Sequence, residues 1–253
     1  MSVAIFCLLF GWMPIASALQ TQQLDSERVT LGDLIDGLEQ IALELEANKT
    51  VKAEFEDLVK SHSLEGSNQQ FLEFVRVRLA FETTRDGGLW GIRWTITNRD
   101  PNSIDIWYQF SQWNADENEF GQPTADAECD ELSALCAVVA RRLGVEGVGL
   151  FWPTPNHTVA VWETQGLNGK KARILLPTSQ IFLGREERLG SQSFDPWQQK
   201  RIYPYEMKDV SDEFQLPAAL VRALLEHTRR HAGKSSADLQ AKRNERASRV
   251  GGS

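Results

Sequence analysis

Apolar residues recur along the chain at two spacings, and the change of spacing divides it into regions. Between Thr30 and Ala47, residues Leu31, Leu34, Ile35, Leu38, Ile41 and Leu45 step by three and four, which predicts an amphipathic helix. Val51 to Val59 and Asn68 to Phe81 continue the helical pattern, so an acidic N-terminal region of three helices is expected to cover a core. At Asp86-Gly87-Gly88 the character changes. The stretch from Leu89 to Trp113 is dense in aromatics and broken by the turn signal Asn98-Arg99-Asp100-Pro101-Asn102. Its periodicity does not choose between helix and strand, and its rings are expected in the core more often than in a groove.

A fourth helix is predicted from a cap at Asp126 or Thr124 to Leu143, with Gly144 ending it. Cys129, Leu132, Cys136, Val139 and Leu143 share one of its faces. Val145 to Trp152 reads as a strand, Pro153-Thr154-Pro155-Asn156 as a turn, and His157 to Trp162 as an alternating strand with His157, Val159 and Val161 on one face. After Gly166-Leu167-Asn168-Gly169, a third strand runs from Ala172 to Leu176. A helix followed by an antiparallel meander points to the α+β class. Gln215 to His231 holds one more amphipathic helix, with Pro217 near its first turn. Residues 228–253 are polar and carry a local charge balance of +5, so a disordered basic tail is expected.

Composition narrows the class. With 253 residues, 42% hydrophobic and 25% charged, the chain matches a folded globular protein and excludes wholesale disorder. A formal net charge of -8 argues against a nucleic-acid partner. Residues 1–18 contain no charge; the apolar run Val3 to Phe10 precedes Pro14 and the small-residue site Ala16-Ser17-Ala18. This resembles a secretory signal peptide, although no Lys or Arg precedes the run. Export to the periplasm or secretion is the expected localisation, with no stable membrane span because the run is too short for one.

The candidate chemistry is a thiol. Cys129 falls in the first turn of its helix, where the helix dipole and free backbone N–H groups favour a thiolate. His157 opens the second strand after that helix, and the two side chains can meet if the face of His157 packs on the helix. Asp126, Glu128, Asp130 and Glu131 surround Cys129 and oppose thiolate formation. They are expected to face solvent, where screening weakens them, so an ion pair of His157 with Cys129 should hold the thiol pKa below its reference near 8.5. Cys136, two turns further along the helix at about 10 Å, lies beyond disulfide reach and reads as core.

Cys129-Asp130-Glu131 opening a helix, Leu143-Gly144-Val145 closing it, His157 at a strand start in HTVAVWE, and a strand ending in Leu176-Pro177-Thr178 resemble the transglutaminase-like superfamily. The resemblance covers roughly residues 122–180. It implies a papain-like core, a helix packed on an antiparallel sheet, with a Cys-His-Asp triad and thiol peptidase or acyl-transferase activity on a peptide or protein substrate. The family pattern has Asp where Leu176 stands, and no carboxylate lies between Glu163 and Glu186. Thr178, Ser179 and Gln180 are then the nearest groups to orient the imidazole, and Leu176→Asp is expected to strengthen the pair. Gln122 and the ring N–H of Trp113 are candidate oxyanion donors beside the backbone N–H of Cys129.

The expected function is therefore a thiol-dependent amide-bond enzyme, a cysteine protease-like hydrolase or acyl transferase working through an acyl-enzyme. The alternative is an inactive module of the same fold that binds a peptide or protein partner in the cell envelope. No cofactor motif is present and the four His form no metal-ligand pattern. The expected domain plan is a signal peptide over 1–18, an acidic helical region over 19–85, a transglutaminase-like core domain over 86–227 and the basic tail over 228–253.

Overall fold

The amphipathic runs become helices because their first turns are capped by their own side chains. Strand β1 (Arg28–Thr30) leads into α1 (Leu31–Glu46), where Thr30 and Asp33 form a reciprocal capping box. Asn48 caps α2 (Lys49–His62), accepting from the N–H groups of Thr50 and Val51, and Ser67 caps α3 (Asn68–Thr84). The computed structural model describes residues 27–114, 123–179, 188–203 and 209–250; the N-terminal segment 1–18 lies outside the described residues.

The aromatic stretch resolves into a short strand and a helix. Strand β2 (Arg93–Trp94) pairs in parallel with β3 (Asp126–Ala127), and α4 (Ile104–Ser111) lies between them in sequence. Trp90, Trp107 and Phe110 pack edge to face at about 6 Å (centroids 6.1, 6.0 and 5.8 Å) and are fully buried, as the core reading expects.

Helix α5 (Cys129–Arg142) is the central element. Ten consecutive residues from Glu131 to Ala140 are buried, so it is covered on all sides. It packs against α3 and against the sheet formed by β4 (Val148–Thr154), β5 (His157–Gln165) and β6 (Lys171–Leu176), an antiparallel meander in the order β4-β5-β6. The cap differs from expectation. Asp126 is spent on β3 and on a bidentate pair with Arg93, so Glu128 takes the cap position. Gly144 ends the helix with φ +84°, a conformation that suits glycine.

Two faces of the sheet bury different company. Val148, Leu150, Ala160, Trp162, Ile174 and Leu176 belong to the main core with α5. Phe151, Val159, Val161 and Leu175 form a second, smaller cluster with Phe194 and Ile202. Segment 188–203 covers that second face, held by the Arg173 guanidinium, which donates to the carbonyls of Pro196, Gln199 and Lys200. Strand β7 (Gln215–Pro217) pairs with β1 and leads into α6 (Ala218–His231).

The main core runs from Val29 through the sheet to Leu239, and the helices up to residue 85 pack into it. One expectation about organisation is corrected. The tail contains a helix, α7 (Ser236–Val250), with Leu239, Gln240 and Arg243 buried against the body. Three to four residue steps put those groups on one stripe, and specific partners anchor them. Gln240 accepts from Arg85, and Arg243 pairs with Asp86 at 2.8 Å. The molecule is thus α+β, and among the described residues no helix is long and apolar enough to cross a membrane.

Candidate active site

Cys129 is the first residue of α5, and the chain before it is tied down by the very carboxylates expected to face solvent. Glu131 is fully buried and accepts from the Thr97 hydroxyl at 2.7 Å, from Arg99 at 3.3 Å and from the Glu128 N–H at 3.0 Å. Glu128 accepts from the N–H groups of Thr97 at 2.7 Å and Asn98 at 3.1 Å. These carboxylates are structural: they fasten the 97–99 segment to the start of α5. Asp130 is pushed up to about 6, by burial and then by the charge of Glu128.

The thiol of Cys129 is half-buried and its pKa is raised, first by burial and then by Asp130 and Glu128. The nearby backbone N–H groups of Thr158 and Asp130 act in the opposite direction. Cys136 sits wholly within the core, and burial pushes its thiol up to about 12. Among the described residues, Cys129 and Cys136 are both free.

His157 is buried at the start of β5, its ring 5.5 Å from that of Phe194. Burial pulls its pKa down to about 4, so the ring is neutral at pH 7. Its Nδ1 has no hydrogen-bond partner among the described residues. The expected ion pair is therefore corrected: both groups are held in their uncharged forms, because each loses more by desolvation than its surroundings return. The expected geometry changes as well. His157, Val159 and Val161 share a face, but the helix packs on the opposite one, with Ala160 and Trp162. The start of α5 meets the strand through Ser133, whose Oγ donates to the Thr158 carbonyl, rather than across the face that carries His157.

The expected orienting groups fare differently. Leu176 is fully buried on the helix side, paired opposite Ala160, which leaves no room for a charged triad member there. Thr178 does not hold the imidazole. Its Oγ1 lies 2.8 Å from Ser133 Oγ, whose own hydroxyl donates to the Thr158 carbonyl at 3.0 Å. Ser133, one helical turn after Cys129, thus straps α5 to β5 and to the end of β6; the only polar residue in the run Leu132–Ala140, it is the available signal for this role. Ser179 is buried with no hydrogen-bond partner for its Oγ among the described residues. Gln180 and Gln122 lie outside the described residues. Trp113 packs against the main core, and among the described residues no hydrogen bond joins it to Cys129 or His157. The clefts lined by His62 and Arg188, and by Ser191 and Trp197, include neither Cys129 nor His157.

No protein-family model, curated protein or solved structure matches the chain. The arrangement by itself offers a nucleophile at a helix start, a backbone N–H environment at its sulfur, and an uncharged imidazole on the adjacent strand. Among the described residues no group of His, Cys, Asp and Glu is arranged to hold a metal ion.

Proposed function

We propose that the protein is a thiol-dependent amide-bond enzyme, transglutaminase-like with a papain-like core, exported to the periplasm or secreted and acting on peptide or protein substrates. The observation that carries this reading is the Ser133 Oγ hydrogen bond to the Thr158 carbonyl at 3.0 Å, which fastens α5, one turn after Cys129, to the residue that follows His157. Because both groups are neutral at rest, the imidazole acts as a general base during attack rather than as a standing counter-ion. The Sγ–H proton passes to the ring as sulfur bonds to the carbonyl carbon. The C–N bond then breaks, the amine leaves with that proton, and a thioester remains on Cys129. Water or a second amine, deprotonated by the same ring, releases the acyl group. The N–H groups at the start of α5 stabilise the developing oxyanion.

A specific observation favours a second reading, a non-catalytic binding module. Leu176 closes the place of the expected carboxylate with a core side chain. An activated acyl ester separates the two. The enzyme reading expects a stoichiometric burst with the acyl group mapped by mass to Cys129, and a burst rate that falls on the order of a hundredfold or more in His157→Ala. Acylation that ignores His157→Ala, or that spreads over surface lysines, overturns it and leaves the binding module.

A further inference from the structure

The three strands of the meander carry their register further than their ladder. Within the ladder Ala160 pairs with Leu176, and the pairs run antiparallel from there to Gln165 and Lys171. Beyond it, the Thr158 carbonyl and the Thr178 hydroxyl both meet Ser133 Oγ, at 3.0 and 2.8 Å. Positions 158 and 178 therefore both lie at Ser133, two steps past the last ladder pair, and the same register continued by one residue would bring His157 opposite Ser179.

Alternation then fixes the faces. Leu176 and Thr178 turn toward α5, so Ser179 turns away, to the side where Val159, Val161 and Leu175 lie and where His157 stacks against Phe194. Directly opposite residues in an antiparallel pair have Cβ atoms about 5 Å apart. His157 and Ser179 are 6% and 2% exposed, and each carries a polar atom with no partner among the described residues, Nδ1 on the ring and Oγ on the serine. Buried polar groups in folded proteins are satisfied with very few exceptions, and a serine hydroxyl needs only a χ1 rotation to reach its cross-strand neighbour.

We propose that Ser179 is the positioning residue for His157: its Oγ accepts the Nδ1–H of the imidazole and leaves Nε2 as the unprotonated nitrogen that takes the thiol proton. The proposal rests on the thiol-enzyme reading for its chemical meaning, while the hydrogen bond stands independently of it. A hydroxyl suits this place. A buried carboxylate would bring a charge that the apolar face does not compensate, whereas a neutral partner serves a neutral ring. The serine would thus supply the orientation that the family pattern draws from Asp, from a position three residues further along the strand end.

The test reads the ring itself. In the intact protein, ¹⁵N spectra of the His157 imidazole are expected to show one tautomer, protonated on Nδ1, over the neutral range. Ser179→Ala should mix or reverse the tautomers, and Ser179→Thr, which keeps the hydroxyl, should restore the original pattern. The acyl burst rate should fall roughly ten- to a hundredfold in Ser179→Ala and recover in Ser179→Thr. An unchanged tautomer in Ser179→Ala overturns the proposal, even if acylation still depends on Cys129 and His157. A tautomer that shifts as expected in a protein that never acylates leaves the hydrogen bond standing and overturns the enzyme reading alone. Should Ser179→Ala lose its fold, Ser179→Cys against Ser179→Thr gives the same comparison with a weak and a strong hydrogen-bonding group.

Discussion

The two faces of the β4-β5-β6 sheet are built to different standards. The helix side belongs to a core that reaches from Val29 to Leu239 and is crossed by satisfied hydrogen bonds such as Ser133 to Thr158 and Thr178. The outer side buries four apolar residues under segment 188–203, which is pinned by Arg173, by the Leu150–Tyr203 bridge and by the Gly190 N–H on the Leu175 carbonyl. The proposed nucleophile comes from the thick side and its base from the thin one. A deep core fixes where α5 starts and so where Cys129 sits. A thin layer lets a ring be buried and neutral while keeping the apolar cover small enough to open locally.

The largest effect that sharpens this contrast is expected from a charge placed on each face. Leu176→Asp puts a carboxylate into the helix-side core and should destabilise the fold by at least about 4 kcal/mol, read as a drop in the urea midpoint. The strengthening expected from the family pattern should not appear. Ser179→Asp, on the outer side, should cost less and should raise the His157 pKa, since a carboxylate stabilises the imidazolium. Equal losses in the two variants would dissolve the distinction between the faces.

Truncations come next. Leu150→Ala removes a helix-side residue and should cost about 4 kcal/mol, near the upper end for such changes; Leu175→Ala, under the thinner layer, should cost about 2 kcal/mol because that layer can collapse into the space. Denaturant unfolding at equal m-values checks the ranking.

The pH dependence of stability gives an intermediate effect. Folded His157 binds its proton near pH 4 and the unfolded residue near 6.5, so between those values the unfolded chain holds more protons and stability should rise with pH. That contribution is at most about 3 kcal/mol, fully present above pH 6.5 and lost as pH falls through 4. Asp130, raised from 3.8 to about 6, works against it over much the same window: its stabilising share is present below 3.8 and lost as pH rises through 6. Solvent screening makes its slope the smaller. Asp130→Asn should therefore steepen the rise of stability from pH 4 to 6.5. A flat profile in that variant would mean that His157 is not held neutral by burial.

The smallest effect concerns reactivity on one helix. Mass-mapped alkylation of the native protein should label Cys129 and spare Cys136, with an apparent pKa for Cys129 above that of a free cysteine. Asp130→Asn should lower that pKa, because it removes one of the charges that raise it. Labelling of Cys136 first would contradict its position in the core.

Much of this architecture is legible in the sequence, and the rest fails for definable reasons. The spacing of Leu31 through Leu45 and the alternation of His157 through Val161 locate their elements because burial selects one stripe or one face. Alternation names the residues that share a face but not the neighbour that covers it. Hence His157 could be assigned to the set with Val159 and Val161 and still be placed on the wrong side of the sheet. The family pattern aligns Leu176 by its Pro-Thr neighbours, whereas the ladder pairs Leu176 with Ala160 on the helix side, and register depends on hairpin length rather than on a dipeptide. In the tail, one buried leucine among charged residues leaves too weak a periodicity to outweigh composition, and the contacts that hold Gln240 and Arg243 are to residues more than 150 positions away.

Asp86 joins one near and two distant stretches. One carboxylate oxygen accepts from the Trp94 N–H and the other from Arg243, while its own N–H donates to the carbonyl of Thr178. Arg243 is 157 residues from Asp86, and Thr178 follows the end of β6. One residue therefore ties the end of β6, through its own N–H, and the docked α7, through its carboxylate, to the same turn, so that a change at Asp86 reaches both.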